Sequence, residues 1–336
     1  MRLVSDATGD ALAGTGVLAR ALDAAGTPFQ ASVVAPFDDP DRTTEADVTV
    51  ALGRSTGDHS LSTAPAATAF EVARELDTRV DATLALAGTV AGGDVDGTVV
   101  EAARRAGLAV PVADPADGLA HTTLLSGPFS GDEERARAAL ADLDLGADPS
   151  EDDHRRVASL VALAVTEDAP SRAADAVGRA LHPYVGGPFE TVGGYADVLD
   201  AVARERPGVG IALALGHEGV RKQALSAWRT HATSAHSAVA EATTGRYDGL
   251  FVARGDAMPV ATVARLVADF HAPEPVALVV TDGEAAVRAT DGRDVATVMR
   301  AATDAVDGET AGRDDRARAR FAVPTSELIE AFREAL

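Results

Sequence analysis

Residues 1–22, MRLVSDATGDALAGTGVLARAL, pass from an apolar run through two aspartates into an alanine-rich stretch. RLVS reads as a strand and LAGTGVLARALDAAG as a helix, so Asp6 and Asp10 lie at a strand-to-helix junction. Such a junction can hold a metal, cradle a phosphate or do neither. Outward from it the same alternation continues: ASVVAP (31–36), ADVTVALG (46–53), the helical AATAFEVARELD (66–77), and the apolar run TLALAGTVAGG (83–93). Val-rich runs alternating with helices at this pitch predict an α/β fold with a doubly wound parallel sheet. Ligands of such sheets sit at the carboxyl ends of the strands, where the loops beginning at Asp6, Pro36 and Gly53 fall.

The 336 residues suffice for two domains. An apolar content of 46 % with only 4 % aromatics suits close-packed helices on a Val-rich sheet and excludes a disordered chain. Acidic residues outnumber basic ones 52 to 30, the net charge is −22, and Lys222 is the sole lysine. Acidic, Lys-poor, Ala-rich composition is the signature of halophiles that balance molar external salt with internal salt, so the charge says little about partners. Without cysteine there is no disulfide, thiolate metal site or Cys nucleophile. No apolar run reaches the roughly 18 residues of a membrane span, and no basic-then-apolar leader opens the chain. The sequence thus predicts a soluble, cytoplasmic protein with no membrane partner.

A helical stretch follows. SGDEERARAALADL (130–143) reads as a helix with Ser130 and Glu133 in a capping box, and Ser150 and Ser171 are read as N-caps of the next two. GPFETVGGYADVLDAVARERPG (187–208) is a further helix, expected to stop at Pro207-Gly208. From about Glu218 to Thr243 one long helical pattern leads to a second domain that starts at YDGLFVARG (247–255), with turns at the VTDG and ATDG of 280–283 and 289–292.

GTGVLA (14–19) spells G-x-G-x-x-A. In a dinucleotide fingerprint the glycines follow the strand directly. Here Asp6 to Ala13 intervene, which makes Gly14 and Gly16 helical residues serving close helix-to-sheet packing. A metal-dependent phosphoesterase is the other reading, with carboxylates and a histidine at strand ends holding two Mn²⁺ or Mg²⁺ ions.

From VSDATGDALAGTGVLARAL through EVARELDTRVDATLALAGTVAGG and GPFSGDEERARAALADL to GRDDRARARF, the chain resembles the DHH phosphoesterases, specifically archaeal RecJ-like proteins. The resemblance implies a DHH-like domain (1–216) with a helical subregion, a connector helix (217–245) and a smaller α/β DHH-associated domain (246–336). Its motifs are eroded. The family's H-x-D-x-D-G falls on Asp6, Thr8 and Asp10, the aspartate of D-L-G on Ala51, and the aspartate following G-A-x-G on Gly92, with Asp94 two residues late. Asp58 and His59 in STGDHSLS are a displaced remnant of D-H-H, and a loop Asp-His beside Ser60 is also an ordinary turn. The histidine of the second domain's phosphate-binding loop falls on Arg313. Thr8, Ala51 and Gly92 cannot supply hard metal ligands.

In RARARF (316–321), strand alternation puts Arg316, Arg318 and Arg320 on one face and Ala317, Ala319 and Phe321 on the other. With Arg313 this row reads either as a grip on single-stranded DNA or an acidic partner, or as a solvated or charge-protected edge strand. His121, His154, His182, His217 and His271 are scattered without metal-ligand spacing. The sequence therefore predicts a catalytically degenerate RecJ-like protein with no cofactor, a scaffold that the resemblance associates with the GINS complex and the MCM ring in DNA replication or repair. Two alternatives stay open. One is an Mn- or Mg-dependent exonuclease or phosphodiesterase that rebuilt its site from Asp6, Asp10, Asp58, His59 and Asp94, and the other is a single-stranded DNA binder without cleavage.

Overall fold

The computed structural model describes residues 1–39, 45–76, 80–93, 103–143, 145 and 150–336. The chain divides into two compact units, Met1–Thr122 with Leu145–Arg155 and Ala180–His231, and Thr123–Asp144 with Arg156–Arg179 and Ala232–Leu336.

In chain order the elements are β1 (Arg2–Asp6), α1 (Gly9–Ala24), β2 (Gln30–Val34), β3 (Thr49–Leu52), β4 (His59–Leu61), α2 (Pro65–Glu75), α3 (Ala82–Gly92), α4 (Pro115–His121), α5 (Glu133–Leu140), α6 (Glu151–Thr166), α7 (Ala173–Ala180), α8 (Val192–Glu205), α9 (Pro207–Ala214) and α10 (Arg221–Glu241). There follow β5 (Thr243–Tyr247), β6 (Leu250–Arg254), α11 (Val260–Leu266), β7 (Val276–Val280), β8 (Glu284–Ala289), α12 (Val295–Asp304), β9 (Glu309–Arg313), β10 (Arg316–Arg320) and α13 (Thr325–Ala335).

The first unit is built on a four-stranded sheet of order β2-β1-β3-β4, every pairing parallel. Leu3 and Val4 are buried at its centre. Thr8 starts α1 in extended conformation and its Oγ1 accepts from the Ala11 amide at 3.3 Å. Helix α1 is buried nearly all round, packed against α2, α3, α8 and α9. A Cβ at Gly14 would stand 2.8 Å from the Pro65 carbonyl oxygen, and one at Gly16 would stand 2.7 Å from the Ala214 methyl. The two glycines are packing residues as expected, but the surfaces they admit are helices α2 and α9 rather than the sheet.

Two other expectations are corrected here. TLALAGTVAGG is helix α3, capped by the Asp81 carboxylate on the Leu84 amide and closed by Gly93 at φ +82°. The N-cap of α5 is Asp132, whose Oδ1 accepts from Glu134 and Arg135 at 3.0 Å, while Ser130 Oγ accepts from the Gly127 amide. The helix read over 187–208 is α8, which ends at Glu205, just before Pro207, as expected; Pro207 then opens α9 at its first position, where a missing N–H costs nothing. Ser150 does form a reciprocal cap with Asp153 at the start of α6.

The second unit carries a six-stranded mixed sheet, order β5-β6-β7-β8-β10-β9. Leu250, Val276, Leu278, Val287 and Ala317 pack with Met299, Leu328 and Phe332 of α12 and α13 on one face. Gly283 and Gly292 take φ of +88° and +79° in the two anticipated turns. Strand β10 lies between β8 and β9, so the reading of RARAR as an edge strand is also corrected. The alternation itself holds: Ala317 and Ala319 are buried and the arginines point to the other face. Among the described residues no helix is long and apolar enough to cross a membrane.

Candidate functional site

The carboxyl edge of the parallel sheet is where this architecture places ligands. Strand β1 ends there at Asp6, whose Oδ1 accepts from the Ala7 amide at 2.9 Å. Gly53 follows β3 with φ +73°, and a Cβ on it would approach Asp6 Cβ at 3.1 Å and Ala11 Cβ at 3.0 Å. Glycine is required at this position by the backbone and by the space. Next to it, Arg54 reaches along the edge: its guanidinium donates to the carbonyls of Ala35 (2.9 Å) and Asp38 (2.8 Å), and its own carbonyl accepts from Ser60 Oγ. A permanent cation is thus fixed to backbone acceptors on this edge.

Asp10 is buried, and its Oδ1 accepts from the Ala66 amide at 2.9 Å. Ala66 is in the first turn of α2, whose N-cap, Ala64, sits in the left-handed region at φ +42° and has no side chain able to cap. Asp10 performs that capping from a different helix, a contribution of about 1 kcal/mol. Its Oδ2 faces Gly92, where an added Cβ would come within 2.8 Å. The N-terminal amides of α1 are taken as well. Gly9 donates to Asp200 Oδ1 at 3.0 Å and Ala11 to Thr8. The junction read from residues 1–22 therefore does not present the open ring of N–H donors that a phosphate needs.

Asp58 and His59 stand elsewhere. Asp58 Oδ2 accepts from the Thr49 amide at 2.8 Å while its own amide donates to the Thr49 carbonyl, closing a six-residue return between two adjacent parallel strands. His59 pairs with Val50, which pairs with Leu3. Both residues lie at the amino end of the sheet, and Asp6 at its carboxyl end is three strand residues beyond the level of His59, about 10 Å along the strand direction. Gly57 of the return rests on Ala51, with 3.1 Å between its would-be Cβ and the Ala51 Cβ. Asp94 lies outside the described residues. Among the described residues no group of three or more His, Cys, Asp or Glu side chains converges to hold a metal. Thr8 and Ala51, with a hydroxyl and a methyl, and Gly92, with no side chain, supply no carboxylate or imidazole for a two-metal centre.

In the same unit, α10 carries a cluster that no motif announced. Trp228 is fully buried and donates through Nε1 to Asp197 Oδ2 at 2.8 Å. Arg229 forks onto Asp117 at 2.9 and 2.6 Å, and His121 Nδ1 lies 2.9 Å from the same carboxylate. Burial pushes the Asp117 carboxyl up, but Arg229 and His121 outweigh it and leave it below the usual carboxylate range. Buried His231 bonds Glu205 at 2.9 Å, and chiefly that bond holds Glu205 low.

Arg313 ends β9, and Arg316, Arg318 and Arg320 face the same way on β10. Arg320 is bidentate with Glu309, at 2.8 Å through Nε and 2.7 Å through Nη2. Asp315 lies 3.6 Å from Arg288 and 3.9 Å from Arg316.

Comparison with known proteins gives consistent results. The family described as "Uncharacterized protein rrnAC1427, C-terminal domain" matches residues 242–334. Over 346 aligned positions the chain is 69 % identical to the uncharacterized protein rrnAC1427 of Haloarcula marismortui, covering 100 % of this chain and 93 % of the relative. Among solved structures, RecJ in complex with Mn²⁺ from Thermus thermophilus superposes with a TM-score of 0.52 at 15 % identity, covering 99 % of this chain and 51 % of that one. CDC45 from Entamoeba histolytica does so with a TM-score of 0.52 at 9 % identity, covering 99 % and 94 %. The chain spans about half the length of the RecJ structure. At these identities the likeness establishes a fold, that of the DHH-family RecJ and CDC45 proteins, in a two-domain arrangement.

Proposed function

The chain belongs to the family of the Haloarcula marismortui protein rrnAC1427, and from that premise we propose that it is a catalytically silent RecJ-like protein, a scaffold or DNA-associated subunit in DNA replication or repair. The observation that carries this reading is Asp10. The one family ligand aspartate kept in place caps α2, and Thr8, Ala51 and Gly92 occupy the other ligand positions. Asp58 and His59 are held at the opposite end of the sheet by the β3–β4 return, which removes the support a rebuilt centre would need. GINS and MCM proteins, implied by the resemblance to archaeal RecJ-like subunits, are the partners to be tried.

The test is nuclease and phosphodiesterase activity at molar KCl with Mn²⁺ or Mg²⁺, on labelled single-stranded DNA, RNA and short dinucleotides. No turnover by folded protein is expected, and co-purification of GINS or MCM at the same salt is expected. Turnover lost in both Asp6→Ala and Asp10→Asn, with folding retained, would overturn the proposal and establish an active metal site.

A further inference from the structure

Between α4 and α5, within the second unit, the chain runs through LLSGPFSG (124–131). Leu125 and Phe129 are fully buried, and Ser126 between them is 6 % exposed. Arg265 of α11 donates to the Thr123 carbonyl at 2.8 Å and to the Thr123 hydroxyl at 2.9 Å, and Ser130 Oγ accepts from the Gly127 amide at 3.0 Å. Ser126 is thus held between two pinned points, and its Oγ lies 2.8 Å from His271 Nε2. His271 ends a π-helical turn, Val267–His271, that continues α11, and the Ala272 amide closes this turn on the Val267 carbonyl at 2.7 Å. Such turns are rare and recur at functional sites. Arg172, directly before α7, fixes this one: its Nε donates to the Ala268 carbonyl at 2.7 Å and its Nη2 to the carbonyls of Ala272 and Glu274, so the backbone is clamped on both sides of His271.

We propose that Ser126 is a nucleophile with His271 as its general base, a site for activated acyl esters that stands apart from the scaffold role. The pair has the separation that transfer of a hydroxyl proton needs, about 2.6–3.2 Å between heavy atoms. An imidazole protonated at Nδ1 accepts the Ser126 proton at Nε2. Burial holds His271 below the usual histidine range, so the ring is the free base at neutral pH. The charged groups of the same region are engaged with one another: Arg172 on the backbone carbonyls and in the field of Asp269, and Glu274 with Arg246 at 2.6 Å and the Gly249 amide at 3.2 Å. In the acylation step Ser126 Oγ bonds to the acyl carbon while its proton passes to His271 Nε2. The acyl–oxygen bond to the leaving alkoxide or phenolate then breaks, and His271 returns the proton to that oxygen. Water completes the cycle by the same route: it gives a proton to His271, bonds to the acyl carbon, and Ser126 Oγ leaves and regains its proton. Water is the sole co-reactant, and the fixed backbone on either side of each partner supplies the orientation that the step requires.

The experiment treats the full-length protein at molar KCl with a fluorophosphonate, whose fluoride leaves as Ser126 Oγ bonds to phosphorus, and separately with p-nitrophenyl acetate, and locates the modified residue by peptide mass spectrometry. Both reagents are expected to modify Ser126, with no modification there in Ser126→Ala and an unchanged rate in Ser226→Ala on α10. His271→Gln keeps a hydrogen-bonding partner for the hydroxyl and removes the base, so it is expected to slow modification about a hundredfold while circular dichroism shows the fold retained. The unsubstituted protein gives a second readout that no folding defect can disturb. Its rate is expected to rise from acid pH and level off before neutrality, with its midpoint below the ordinary histidine value of about 6.5. Failure of either reagent to modify Ser126 in the folded protein, an equal rate in His271→Gln, or a rate that keeps climbing through neutral pH as for an unassisted hydroxyl would each overturn the proposal.

Discussion

At Asp10 a residue placed where the resemblance expects a metal ligand performs a structural task. Its carboxylate supplies the acceptor that Ala64 lacks, on the Ala66 amide. Replacing it by alanine is expected to cost about 0.5–2 kcal/mol, the range for a lost cap, read by urea unfolding of the intact chain. Asp10→Asn retains a side-chain oxygen and should recover most of that loss, with Mn²⁺ shifting neither midpoint; a metal ligand would show the reverse. Gly92 permits a second test. Aspartate there restores the family's residue but brings a side chain within 2.8 Å of Asp10 Oδ2 and a negative charge into the last turn of α3. The variant is expected to be about 1–3 kcal/mol less stable and not to be rescued by Mn²⁺; rescue would reveal a latent site.

Among the elements, those with a period or a strong cap were legible from the sequence: the β1–α1 junction, the alternation of β10, the cap of α6 and the long helix that became α10. Helix α3 was not, because it is buried on several sides by α1, α2 and α8 and its residues are apolar all round, which erases the 3.6-residue period. Position in the sheet was equally hidden, since alternation shows which face a residue takes and not whether a strand is internal. The site was legible only as positions. That Arg54 ties down the carboxyl edge, that Asp200 caps α1 and that Asp58 closes a return depend on partners brought together by the fold. The anchors of α10 were invisible for the same reason, and they predict a pH dependence. Asp117 and Glu205 are both held below their ordinary values in the folded chain, so their stabilisation is present above the unfolded carboxylate pKa of about 4 and is lost as pH falls through the lower folded values. Fluorescence of Trp228, the single tryptophan, should report loss of stability as the solution is acidified below about pH 4, with a shallower slope in Arg229→Gln. An unchanged slope in that variant would show that the Asp117 pair contributes nothing to the acid limb.

For the whole molecule, the excess of 52 acidic over 30 basic residues sets the conditions under which every smaller-scale interaction operates. The sequence read as halophilic, and its relative at 69 % identity comes from the halophile Haloarcula marismortui. A net charge of −22 repels itself, and salt relieves the repulsion by shortening its range from about 10 Å at 0.1 M to about 3 Å at 1 M. The thermal midpoint reported by Trp228 is therefore expected to fall by about 5–10 °C between molar and roughly 0.1 M KCl, the shift for a few kcal/mol in a unit of this size. The shape of the curve separates two causes. Screening of the net charge is largely complete once the Debye length falls below the spacing of surface charges, so its effect levels off before molar salt. Strengthened apolar burial continues to rise, and rises further when sulfate replaces chloride. The alanine-rich contacts of α1 and α3 bury little surface per residue, which makes this protein depend on the second cause as well as the first. A midpoint that climbs through molar KCl and again in sulfate is the expected result, and a plateau at moderate salt with no sulfate effect would assign the salt dependence to charge alone.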